Sequence, residues 1–175
     1  MTNDIITLSY ALASNDFNQG RLVELLNAKI TADLENRMLA ALQCTDNNRL
    51  RNIIAMKIAE DGSPAGKKAS VPIIKRLLEE PRTRGCRGTL LYVLHEMQEP
   101  LPLSFLLNQI SDIGTSYEVQ SEAHGIIQEN IFLFSSKEIK NSFRIVEEVN
   151  VEDNECLSDI IEVLKEEISD RNSGA

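Results

Sequence analysis

Three stretches of this chain carry residue types that could do chemistry. Gly62-Ser63-Pro64-Ala65-Gly66-Lys67-Lys68 invites comparison with a phosphate-binding loop. Such a loop needs backbone amides to cradle phosphate, a Lys to reach it, and a Ser or Thr to hold Mg²⁺. Here the glycines stand one residue too close, Lys68 occupies the hydroxyl's place, and the preceding apolar pattern is helical. The segment therefore reads as a turn between helices. His95-Glu96-Met97-Gln98-Glu99 opens like a zinc-protease signature, but Glu99 stands where the second His would bind the metal. Cys44, Cys86 and Cys156 are odd in number, widely spaced and without a Cys-x-x-Cys pair. They read as reduced thiols packing as small hydrophobes, which is cytosolic usage.

The remaining candidates are thin. His95 and His124 are the only histidines, each within an apolar-periodic stretch, where a lone imidazole is more often a packing residue than a base. No Ser or Cys nucleophile stands beside either in a shared motif. Glu147 and Glu148 are adjacent and so diverge around a helix. The sequence assigns no catalytic residue, no cofactor and no metal, and the expectation is a protein that is not an enzyme.

Charge is the informative polar feature. Residues 1–48 carry net −3, residues 49–88 net +6, and residues 89–175 net −12. From Glu147 to Asp170 ten acids stand against one base, Lys165. An acidic surface steers a basic partner toward it and rejects wrong ones; it also suits the wet outer face of a terminal helix. The contact candidates are Glu138, Glu147, Glu148, Glu152, Asp153 and Glu155, with Asp112, Tyr117 and Glu118 on the loop leading toward them. Tyr is the anchor type in such a patch. The basic middle, Lys67, Lys68, Lys75, Arg76, Arg82, Arg84 and Arg87, could track a phosphate backbone. Only Tyr92 lies near it as a stacking aromatic, and the whole chain is at −9, so nucleic acid is the less favoured partner. Neutralisation within the chain, including by the acidic end, is an equal use for these bases.

The elements that position these residues are helices. Of 175 residues, 42% are apolar and only 5% aromatic, with no Trp, a balance that favours helix packing over strands. Apolar residues recur at helical spacing: Leu22, Leu25 and Leu26; Leu34, Met38 and Leu42; Leu50, Ile54 and Ile58; Ile74, Leu77 and Leu78; Cys86, Leu90, Leu94 and Met97. The pattern continues through Leu103, Leu106, Leu107 and Ile110; Val119, Ala123 and Ile127; Ile139, Phe143 and Val146; Leu157, Ile160, Ile161 and Leu164. Helix starts are expected at Asp46 or Asn47, at Ser70 ahead of Pro72, and at two capping boxes, Thr115 with Glu118 and Ser135 with Glu138. Short loops predict antiparallel neighbours. The opening MTNDIITLSY makes a poor secretory signal, and no run reaches the roughly 18 apolar residues a bilayer requires. A cytoplasmic location is expected.

An internal repeat orders these helices. Leu50, Ile54 and Ile58 align with Cys86, Leu90 and Leu94, 36 residues on, and those with Val119, Ala123 and Ile127, 33 further. One amphipathic hairpin per period cannot bury its stripe alone, so neighbours stack. The segments NNRLRNIIAMKIAEDG, VPIIKRLLEEP and RGCRGTLLYVLHEM resemble the HEAT-repeat pattern of the armadillo-like superfamily, with Arg51 and Arg87 at matching positions and Leu77-Leu78 matched by Leu106-Leu107. The resemblance covers residues 47–114 well and 115–149 weakly. It implies an all-α fold, a right-handed α-α superhelix of about nine or ten helices with a protein-binding concave face. One domain is expected over residues 1–175: irregular N-terminal helices over 1–46, repeat-like hairpins over 47–149, and an acidic capping helix over 150–175.

Fold does not dictate function. The expectation is a cytosolic protein-binding module with a basic protein as partner. It is similar to bacterial immunity proteins, which neutralise a basic toxin stoichiometrically. The alternatives are a nucleic-acid-binding HEAT-like protein using residues 67–87, similar to DNA-alkylation-repair solenoids, and a helical scaffold subunit of a larger assembly. No membrane role is expected.

Overall fold

The computed structural model describes residues 19–112, 114–147 and 154–173. The described chain is all-α, with nine α-helices, two 3-10 turns and no strand. In order these are α1 (Gln19–Asn27), α2 (Ala32–Cys44), α3 (Asn48–Asp61), α4 (Pro64–Glu79), a 3-10 turn (Pro81–Cys86) and α5 (Gly88–Glu96). They continue with α6 (Leu103–Ser111), α7 (Tyr117–Asn130), a second 3-10 turn (Ile131–Leu133), α8 (Ser136–Glu147) and α9 (Glu155–Ser173). The expected opening segment MTNDIITLSY lies outside the described residues. No helix among the described residues is long and apolar enough to cross a membrane.

Contacts cluster into two units: residues through Arg84 with Tyr92–Glu99, and Gly85–Leu91 with the chain from Pro100 onward. In the first unit α2 packs on α3 and α3's partner α4, while α1 touches α3 and α2 touches α4. In the second, α6 pairs with α7 and α8 with α9, while α6 touches α8 and α7 touches α9. Each unit thus stacks helices two apart in sequence, the arrangement that lets one hairpin cover the apolar stripe of the next. Leu34, Met38, Leu42, Leu50, Ile54, Ile58, Ile74, Leu77 and Leu78 are fully enclosed in the first unit; Leu103, Leu106, Ile110, Val119, Ala123, Ile127 and Ile139 are enclosed in the second. Each such Leu or Ile contributes about 1.5–3 kcal/mol of burial.

Local chemistry decides where the helices begin. Asn47 accepts from Leu50 N (3.1 Å) and opens α3 as its type predicts. The expected start at Ser70 is corrected. Ser63 caps α4 instead, accepting from Gly66 N (3.0 Å), with Pro64 in the first turn where a missing N–H costs least. Pro72 then falls inside the helix, an arrangement that costs about 3 kcal/mol in isolation. Ile74, Leu77 and Leu78, all enclosed beyond it, are what offsets this. Thr115 and Glu118 form no capping box: Ser116 stands at the N-cap of α7 without a side-chain bond, and Thr115 Oγ1 is sealed without a partner. Ser135 does receive Glu138 N (3.2 Å), but the Glu138 carboxylate turns elsewhere.

Charged side chains close helix ends over long sequence distances. Lys57, buried, donates to Leu26 O at the end of α1 (2.7 Å). Arg82 donates to Gln43 O (2.9 Å) and Thr45 O (3.1 Å) at the end of α2. Arg171 donates to Phe134 O (2.7 Å) and Ile131 O (3.3 Å) around the second 3-10 turn. At the opposite poles, Glu35 serves the start of α4 and Glu138 accepts from Leu103 N at the start of α6 (3.0 Å). Cations at C-termini and anions at N-termini complement both the orphan backbone groups and the helix dipole. Arg51 and Arg87 are both buried. Arg51 donates to Thr45 O (2.8 Å), and Arg87 to Gln109 Oε1 (3.1 Å). At the end of α5, Gln98 adopts a left-handed φ of 57°. Glu99 N reaches back to Leu94 O (2.9 Å), which makes Gln98 the reversal residue of a Schellman ending.

Candidate functional site

The phosphate-loop-like segment is the first turn of α4, and its anion place is already filled. Glu35, only 7% exposed on α2, accepts from Ser63 N and Ser63 Oγ, each at 2.7 Å. A Cβ on Gly66 would land on that carboxylate, so glycine is required for the close approach. An anion from solution would have to displace a side chain of the protein itself.

Most of the basic middle is also engaged within the chain. Lys75 pairs with Glu99 (3.2 Å), Arg76 with Glu80 (3.4 Å), and Arg82 with Asp46 (2.8 Å) and Glu80. Those two carboxylates hold the Arg82 guanidinium above its ordinary pKa, the Asp46 hydrogen bond contributing most. Lys67 reaches Glu60 O (3.3 Å), and Arg87 is buried against Gln109. Lys68 is exposed.

The histidines and cysteines are scattered. His95 and His124 are each half-buried, and His124 Nε2 is sealed away without a hydrogen-bond partner. Cys156 is buried, and desolvation, then Asp159 and Glu155, push its thiol up from the ordinary range. Cys44 departs from the expected packing role: it is exposed at the last position of α2. Among the described residues, no group of three His, Cys, Asp or Glu side chains could hold a metal ion.

The acidic candidates separate into three groups. Glu148, Glu152 and Asp153 lie outside the described residues, as does the side chain of Glu147, which ends α8. Glu138 is half-buried and occupied at Leu103 N, and Glu118 lies against Gly88, where an added Cβ would come within 2.8 Å of its carboxylate oxygen. Asp112, Tyr117 and Glu155 form the third group, each lying within three residues of a group that meets at one carbonyl. Ile110 O, near the end of α6, accepts from Gln120 Nε2 (3.2 Å) on α7 and from Asn154 Nδ2 (2.8 Å) just before α9. Asp112 follows Ile110 by two residues, Tyr117 precedes Gln120 by three, and Glu155 follows Asn154 directly. Asp112 Oδ1 accepts from Gly114 N (3.3 Å). Tyr117 projects at 70% exposure and Glu155 is exposed.

Sequence reasoning missed one part of this surface. Asn154 and Gln120 carry no charge and match no motif, so only the shared carbonyl reveals them. The acid run expected on the wet face of the terminal helix is a stripe on α9: Glu155, Asp159, Glu162, Glu166 and Asp170 are all exposed, opposite the buried Leu157, Ile160, Ile161 and Leu164. Their spacing of three or four residues was legible in the sequence as one helix face. Lys165, the base within this run, lies 5.9 Å from the Phe143 ring centroid on the neighbouring α8. Exposed Phe132 and Leu133 on the second 3-10 turn were likewise not singled out.

Comparison with protein-family models, curated proteins and solved structures gives no match to this chain.

Proposed function

We propose that the chain is a non-enzymatic protein-binding module with HEAT-like hairpins, most specifically a cytoplasmic immunity protein of bacterial type. In this reading it neutralises a basic toxin by covering it one-to-one rather than by turnover. The observation that carries it is Tyr117, 70% exposed on the helix whose Gln120 shares the Ile110 carbonyl with Asn154, next to Glu155 in the chain. Between Arg87 and Lys137 the sequence contains no Lys or Arg, so the segment that builds most of this surface offers no cation. A large aromatic anchor within a field of one sign suits a partner that brings arginine or lysine. Lys75, Arg76 and Arg82 already hold carboxylates in their own unit, which favours a structural use of the basic middle over phosphate tracking.

The test is capture from a lysate of the source cell, run with and without nuclease, with wild type beside a Tyr117→Ala/Glu155→Lys double variant. A basic protein retained by wild type at low salt, released at high salt and lost by the variant is the expected result. Capture of nucleic acid, or of a protein that both forms hold equally, would overturn the reading. Gel filtration of the complex reads the one-to-one stoichiometry.

A further inference from the structure

The anchor beneath this surface has a chemical requirement that the acids around it do not. Ile110 O is one of the last carbonyls of α6, which have no partner within the helix. Two side-chain amides converge on it, from Gln120 and Asn154. Asn154 uses both ends of its amide: Nδ2 donates to Ile110 O at 2.8 Å, while Oδ1 accepts from Leu157 N at 3.0 Å and so caps α9. A carboxylate could cap the helix but has no proton to give the carbonyl, and its charge would face the carbonyl oxygen. A serine could cap but is too short to span the gap. Only a side chain with a donor and an acceptor on one carbon does both.

We propose that Asn154 is the positioning residue of the docking surface, which is therefore formed before any partner arrives; this rests on the protein-binding reading above. By joining the start of α9 to the end of α6 on the carbonyl that also holds α7, Asn154 fixes Glu155 relative to Asp112 and Tyr117. The partner then meets carboxylates and a ring already in register, and less freedom is lost on association. The occupant this surface takes is an arginine-bearing segment of a protein, whose guanidinium groups can lie on Tyr117 and pair with the flanking acids.

The test exploits a conflict between charge and position. Asn154→Asp adds a carboxylate to an acidic surface but removes the donor; Asn154→Ser removes the donor without adding charge. Each keeps a cap for α9, so helicity and the melting temperature should change little. Binding of a hexa-arginine peptide is measured by calorimetry at low salt, with hydrogen exchange across residues 105–121 and 155–160 as the local readout. The expected result is a loss of affinity of about five-fold in both variants, the equivalent of one hydrogen bond. Exchange should become faster near Ile110 while Leu157 stays protected, and Asn154→Gln should recover part of the affinity. Equal or tighter peptide binding by Asn154→Asp, or unchanged affinity in Asn154→Ser, overturns the positioning role alone. If the wild-type chain ignores the peptide, the docking reading itself falls and this proposal with it, even where exchange shows the anchor intact.

Discussion

Glu35 and Ser63, 28 residues apart, meet through two hydrogen bonds of 2.7 Å, so that a carboxylate of α2 closes the first turn of α4. This contact makes Gly66 irreplaceable in a way its helical position alone would not. Gly66→Ala should displace the carboxylate and cost about 2–4 kcal/mol, the range for breaking charged, buried hydrogen bonds. Gly85→Ala is the control, because a Cβ there meets nothing within 4 Å. It should be neutral, or stabilising by about 0.4–1 kcal/mol through the unfolded chain. Urea titration of the three proteins measures both.

Gln98 holds a left-handed backbone that glycine adopts without strain. Gln98→Gly should raise stability by about 0.5–1 kcal/mol, and Gln98→Val should lower it, because a β-branched side chain tolerates that region least. A shift of the urea midpoint in the opposite sense would show that the Schellman ending of α5 is not what the geometry indicates.

Arg82 and Lys68 belong to one basic run yet should respond oppositely to truncation. Arg82→Ala removes a fork that binds Gln43 O, Thr45 O and Asp46 together, and should cost about 1–3 kcal/mol. Arg82→Lys should recover only part, since an ammonium cannot reproduce the planar geometry. Lys68→Ala should stay within about 0.5 kcal/mol of wild type, as exposed substitutions do. Equal effects at the two positions would make the run a plain solvated strip.

Cys44 and Cys156 should separate by reactivity. The exposed Cys44 thiol should alkylate readily at neutral pH, and Cys156 only as the fold opens. Burial with Asp159 and Glu155 makes the folded state hold the Cys156 proton more tightly than the unfolded state does. The stability this contributes is present below the ordinary thiol range and lost as pH rises above it. Peptide mapping after brief iodoacetamide treatment reads the order, and alkaline melting curves the sign.

The helical seams were legible because they depend on spacing alone: Leu50, Ile54 and Ile58 face one way in any helix, and all three are enclosed. The start of α4 was not, because Pro72 reads locally as a boundary, whereas burial of Ile74, Leu77 and Leu78 carries the helix through it. Nor were the roles of Glu118 and Glu138. Each sits three residues after a Ser or Thr, as in a capping box, yet Glu138 serves Leu103, 35 residues upstream. The acidic composition of the proposed docking surface was visible, and the carbonyl anchor was not, since an Asn and a Gln meeting one carbonyl leave no periodic trace.

The long-range closing of helix ends by Glu35, Lys57, Arg82, Glu138 and Arg171 bears on any redesign of this chain. A scheme that ranks positions by hydropathy would treat these five as interchangeable exterior sites and recolour them freely. Sign, length and hydrogen-bond geometry are as restricted there as shape is at Leu78. A library built to vary the exterior should hold them constant and spend its diversity on positions such as Lys68, Glu162 and Glu166.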